Sequence, residues 1–156
     1  MARLFTQMFR SLVLAAFVLT GVDSVFATLY SVKDLGVLTN LPAHNASEPN
    51  AISNNGKVEA SNVTNGFYMA FIYGGDWTNL GTLGGNGSFG LGVNDSSQVV
   101  GRSITTNGLS HAFLWTPGGS DGVATNPEMK DLGTFAGGTN SEADSINHTG
   151  QIAGYA

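Results

Sequence analysis

Cysteine is absent from all 156 residues. That excludes a disulfide framework and thiolate chemistry, so apolar burial and backbone hydrogen bonding must hold the chain together. Charge is scarce too, with Asp, Glu, Lys and Arg together only 11% of the residues. Lys and Arg number 6 against 11 acidic residues, and grip on a phosphate backbone needs clustered cations, so nucleic acid is rejected as a partner. No segment after Ala27 carries apolar residues at helical spacing over ten positions. Helices are therefore not expected in the mature chain.

The N-terminus has its own order. Arg3 and Arg10 precede the apolar run Leu12 to Leu19, and Val25-Phe26-Ala27 places small residues at minus three and minus one of a cut after Ala27. This is the pattern of a secretory leader over residues 1–27, too short to span a bilayer because Gly21 and Asp23 interrupt it before the ~20 apolar residues of a membrane helix. Cleavage leaves residues 28–156 without a stable membrane span, one domain by length, with four cations against ten carboxylates. An extracellular, periplasmic or cell-surface location follows.

What the chain does have is repetition. Asn79-Leu80-Gly81-Thr82-Leu83-Gly84-Gly85 opens a unit that continues through Gly92-Val93-Asn94-Asp95 and Gln98-Val99-Val100-Gly101 to Ser110-His111-Ala112-Phe113-Leu114-Trp115. Its first phrase returns around Asp34-Leu35-Gly36 and Asp131-Leu132-Gly133, its middle around Ile52 to Val58 and Ile146 to Gly154, and its last as Tyr68-Met69-Ala70-Phe71-Ile72-Tyr73. Leu35 to Leu80 is 45 residues and Leu80 to Leu132 is 52, a period typical of propeller blades and similar arrays. The repeats lie near 30–78, 79–128 and 129–156, the last cut short.

Short β-branched or aromatic runs alternate with Gly, Asn, Asp and Ser clusters, which predicts an all-β domain. The strands are placed at 30–37, 50–53, 57–62, 68–73, 77–82, 90–94, 98–104, 110–115, 129–134, 143–147 and 151–155. Gly56 and Gly150 sit where a hairpin needs positive φ, and Ser97 replaces glycine in the middle copy, leaving that turn's type open. In the aromatic strands, Ala70, Ile72, Ala112 and Leu114 share one face, and Met69, Phe71, Tyr73, Phe113 and Trp115 the other. Apolar residues on both faces predict sheets stacked on sheets in propeller-like blades, about two complete and others partial. Asp34, Asn79 and Asp131, each before Leu-Gly, are expected to cap a turn rather than bind calcium.

These phrases together resemble the bacterial HAF extracellular repeat family, named for the tripeptide that stands here as His111-Ala112-Phe113. The family's Asp-Leu-Gly-Thr-Leu-Gly-Gly phrase is nearest at Asn79 to Gly85 and Asp131 to Gly138, and Ile146 to Gly154 matches its Ile-Asn-x-x-Gly-Gln-x-x-Gly phrase in full. The likeness runs from about Tyr30 to Ala156. It departs in the first copy, where Thr39-Asn40-Leu41-Pro42 replaces the paired glycines and Met69 replaces the histidine, as in a capping repeat. The resemblance implies an exported, repetitive β protein of unassigned activity and brings no catalytic residues with it.

No catalytic, cofactor or metal residue is assigned from the sequence. Gly85-Asn86-Gly87-Ser88-Phe89-Gly90 fits the dinucleotide pattern, but the next residues predict a strand where the chemistry needs a helix N-terminus. His44, His111 and His148 lack close partners of metal-ligand spacing, and His111 is expected to be partly buried with one nitrogen hydrogen-bonded. Five Asn-x-Ser/Thr triplets, at Asn45, Asn62, Asn86, Asn94 and Asn147, match the glycosylation pattern, and chance and turn chemistry explain most of them in a chain this rich in Asn, Ser and Thr. Phe67, Tyr68, Tyr73, Trp77 and Trp115 are the candidate contacts to a carbohydrate or protein partner. The expectation is a non-catalytic surface or secreted binding scaffold. The alternative is a secreted polysaccharide hydrolase or lyase, using two of Glu48, Glu59, Asp76, Glu142 and Asp144. The strand count further predicts an incomplete ring, a portion of a longer propeller or one that closes by self-association through open edges.

Overall fold

The computed structural model describes residues 31–35, 48–64 and 66–156. They divide between two compact units at Leu35 and Gly36. In the first unit, residues 31–35 are not strand, which corrects the strand expected at 30–37: β-propensity expresses fit to a pleated surface and takes effect only beside a partner. The leader expected over residues 1–27 lies outside the described residues.

The second unit contains ten strands and, among the described residues, no helix. They are β1 (Glu48–Ile52), β2 (Val58–Thr64), β3 (Phe67–Tyr73), β4 (Trp77–Asn79), β5 (Gly84–Val93), β6 (Val99–Thr105), β7 (Ser110–Trp115), β8 (Met129–Gly133), β9 (Glu142–Ile146) and β10 (Ile152–Tyr155). They form three antiparallel sheets, none closed: β1-β2-β3-β4, β5-β6-β7-β8 and β9-β10. The strand alternation in the sequence thus carries over to the structure. β5 is the main difference, beginning six residues before the strand expected at 90–94, because the glycine-rich run is itself extended.

The sheets stack in chain order. β5 lies against β1, β2 and β3, and β9 lies against β5, β6 and β7. At the first seam Ala70 and Ile72 of the first sheet join Leu80, Leu83, Val93, Val99, Phe113, Trp115 and Met129 in one buried cluster. Across the second, Val100, Ala112 and Leu114 meet Ala143, Ile146 and Ile152. The second sheet therefore sends its Phe113 and Trp115 face one way and its Ala112 and Leu114 face the other, as strand alternation requires.

The repeat phrases correspond to specific bonds. In each sheet's first strand the register slips at the same place, leaving Asn50, Leu91 and Asp144 as the extra residues of three equivalent bulges, and β5 slips a second time between Gly84 and Ser88. Asn79 Oδ1 accepts the Gly81 N–H at 2.9 Å and Asp131 Oδ1 accepts the Gly133 N–H at 2.7 Å, the turn caps expected of those positions. Gly81 and Gly133 sit at φ 75° and 70°, so the Leu-Gly glycine meets a backbone demand. Gly36, the expected partner of Asp34 in the corresponding cap, lies outside the described residues.

An equivalent serine at each seam joins sheet to sheet, and at the first Ser61 Oγ also accepts the Gly90 N–H at 3.1 Å. Ser88 Oγ accepts the Ala70 N–H at 3.0 Å and donates to the Gly81 carbonyl at 2.6 Å. Ser141 Oγ repeats this with the Ala112 N–H at 2.8 Å and the Gly133 carbonyl at 2.5 Å. Each serine thus links the alanine of one phrase to the glycine of another, satisfying two backbone groups that burial would otherwise leave without partners.

Candidate functional site

Among the described residues, clefts open along the stack, and the first of three combines aromatic rings with a cation. It lies over the first seam, about 310 Å3 in volume, between the start of β3 and the middle of β5 and β6. Phe67 and Tyr68 stand at its rim, 45% and 44% exposed. Tyr68 meets Phe89 edge-on with ring centroids 5.3 Å apart, and the Arg102 guanidinium lies 5.3 Å over the other ring. Arg102 is held there by Glu142 of the third sheet at 2.5 Å. A clustered set of flat rings beside a fixed cation, with the exposed Asn86 amide and Ser110 nearby, offers stacking surface and hydrogen bonds together.

The other expected aromatics go elsewhere. Trp115 is 5% exposed and belongs to the core. Tyr73 and Trp77 stack on each other at 5.2 Å across β3 and β4. Phe89 and Arg102, which complete the cleft, were not singled out from the sequence. Phe89 follows a glycine-rich run with no aromatic pattern, and Arg102 is an isolated cation, so neither carried a local signal.

A second cleft, about 330 Å3, forms where the three hairpin turns converge and includes Asn54, Asp95 and His148. The turns bond across the seams. Asp95 accepts the Asn54 Nδ2–H at 3.1 Å and the Asn55 N–H at 3.2 Å, and Asn94 donates to the Asn147 carbonyl at 3.1 Å. The Asn54 bond holds the exposed Asp95 carboxyl below its ordinary range. Within the second and third turns an Asn closes the loop onto a Gln: Asn94 Nδ2 to Gln98 Oε1 at 2.8 Å and Asn147 Nδ2 to Gln151 Oε1 at 2.7 Å. Ser97 takes φ 62° at the place where Gly56 and Gly150 take 80° and 83°. The turn left open by that serine thus keeps the same left-handed residue.

A third cleft of about 250 Å3 lies beside β10 and is bordered by Leu132, Phe135, Ile152 and Tyr155. Tyr155 donates to Glu142 Oε1 at 3.3 Å, and the negative charge of Glu142 raises the tyrosine above its ordinary range.

Of the candidate carboxylates, Glu142 and Asp144 both stand near Tyr155 and raise its pKa together. The first cleft is lined by none, the second by Asp95 and the third by Glu142. Glu59 is fully buried on β2, facing Gly90 across the first seam. Ser61 donates to its Oε1 at 3.4 Å, while its Oε2 has no partner. Desolvation pushes its pKa up to about 8, with hydrogen bonds from Asn50 and Ser61 opposing, so the side chain is protonated at neutral pH.

His111 is partly buried, and its Nδ1 lies 2.9 Å from Asp131 Oδ2 across β7 and β8. In the first repeat Met69 and Asn79 replace this pair together. Among the described residues no serine bonds the other ring nitrogen, so the dyad is not extended to a triad. His148 lies in the turn cleft, and His44 lies outside the described residues. No three metal-ligating side chains cluster among the described residues. The Gly85 to Gly90 run is strand throughout, without the helix N-terminus that dinucleotide binding requires.

No helix of the described residues is long and apolar enough to cross a membrane. No protein-family model, curated protein or solved structure matches this chain.

Proposed function

We propose that this chain is an exported, non-catalytic binding scaffold of the HAF type, its sheets acting as propeller-like blades that present a carbohydrate or protein ligand with the aromatic cleft over the first seam. The reading rests on that cleft: Phe67 and Tyr68 leave nearly half of their surface open to solvent, and Phe89 and Arg102 stand beside them in defined contacts. Flat rings with polar neighbours suit the face of a sugar, whose C–H groups stack while its hydroxyls bond. The resemblance and the leader-like N-terminus support a location outside the cytoplasm.

A polysaccharide hydrolase or lyase would need two carboxylates in one cleft, and none of the three clefts carries two. Binding to a panel of immobilised glycans, with the product of each positive measured for turnover, tests the reading. The expected outcome is saturable binding without cleavage, weakened at least tenfold in Tyr68→Ala. Turnover abolished by a single carboxylate-to-amide change overturns it.

A further inference from the structure

The cation of the first cleft is only partly engaged. Arg102 lines the cleft, no carboxylate does, and the arginine side chain is 48% exposed. Glu142 takes a single nitrogen, Nη1, at 2.5 Å. Among the described residues no other hydrogen bond reaches the guanidinium, so the edge made by Nε and Nη2 keeps its donors for a ligand. Phe89 holds the group from a second direction, its ring centroid 5.3 Å from the Arg102 Cζ. Glu142 and Phe89 together set the side chain in place before a ligand arrives, which lowers the ordering cost that a loose surface arginine would carry into binding.

We propose, resting on the glycan-binding reading above, that this cleft selects uronate-bearing polysaccharides over neutral ones and that Arg102 sets the preference. A hexuronate has both parts that the cleft matches. Its C–H face stacks on a ring such as Tyr68 or Phe67, each nearly half exposed, and the two oxygens of its carboxylate fit the Nε and Nη2 pair as a fork. The Asn86 amide and the Ser110 hydroxyl line the same cleft and serve the sugar hydroxyls. A neutral sugar keeps the stacking and the hydroxyl bonds and loses only the fork. Glu142 offsets part of the arginine's charge, and the chain as a whole carries −5. Selectivity therefore comes from two directed hydrogen bonds rather than from attraction at a distance.

The probes are alginate, polygalacturonate and hyaluronan, each beside its own carboxyl-reduced, neutral form. They are offered to the immobilised full chain at about 0.15 M salt, where attraction at a distance is screened. The expected result is that at least one acidic polymer binds about tenfold tighter than its reduced form. Arg102→Gln should bring that ratio close to one. Arg102→Lys, which keeps a cation for Glu142 but has no fork, should lose most of the preference while melting near the parent. Tyr68→Ala, by contrast, should weaken the acidic and reduced forms by the same factor. Equal binding of acidic and reduced forms, or a preference that survives Arg102→Gln, overturns the proposal and leaves the glycan-binding reading standing. Silence from all six polymers also overturns it, and the glycan-binding reading falls with it only if the neutral glycans of the immobilised panel are silent as well.

Discussion

The two seams are built from the same repeat and differ in the chemistry of one buried pair. At the first, Glu59 lies on Gly90; at the second, Val100 and Ala143 hold the equivalent positions. A Cβ at Gly90 would collide with the Glu59 carboxyl, so the larger acid is accommodated by the smaller neighbour. Total volume at the seam is roughly conserved, as close packing demands. What changes is the price of charge: the second seam is apolar there, whereas the first carries a carboxyl with one oxygen unpartnered, tolerated because it stays protonated.

The sharpest way to break the comparison is pH. Glu59 has a folded-state pKa raised from 4.5 to about 8, so the folded state holds its proton more tightly than the unfolded one. Its contribution is complete below the unfolded value and falls as pH rises between about 4.5 and about 8, at roughly 1.4 kcal/mol per unit, or on the order of 4–5 kcal/mol in all. Urea melts at stepped pH should show this decline in the parent and its loss in Glu59→Gln. An unchanged slope in the variant would mean that another group governs the first seam.

Next in size is Phe113→Ala, which empties the fully buried centre of the first seam. It should cost about 3–5 kcal/mol by the same melts, against a smaller loss for Ile152→Ala in the partly buried second seam. Equal costs would erase the difference between the seams. The two serine bridges are where the seams should agree. Ser88→Ala and Ser141→Ala each strand an N–H and a carbonyl, and each should lose about 1–3 kcal/mol. A neutral Ser141→Ala would show that the second seam is held by its apolar contacts alone.

The smallest effect belongs to the turns. Ser97→Gly relieves the one non-glycine residue with positive φ among those described and should gain about 1 kcal/mol, while Gly150→Ser should lose a similar amount. Thermal melts resolve both.

Much of this was legible in the residues themselves, because it is local. Alternation along β3 and β7 marks which side chains share a face, and Asn79 and Asp131 reach a glycine two residues away. Asn147 and Gln151 close a turn four residues long. Such contacts lie within one turn or one strand, where the geometry is set by the backbone period. The phrase repeat also placed the strands of the three sheets, since each copy folds by the same local rules.

What crosses a seam was decided only by the tertiary structure. Glu59 reads as a surface acid in an alternating strand until Gly90 covers it, 31 residues away. Phe89 and Arg102 become a cleft only when Tyr68 and Glu142 arrive from other sheets. Ser88 and Ser141 are ordinary polar residues until they bridge to Ala70 and Ala112. The sequence by itself determined strands, turns and facing because those depend on neighbours along the chain. Burial, proton affinity and exposed edges depend on which sheet lies next door, and that is a property of the stack.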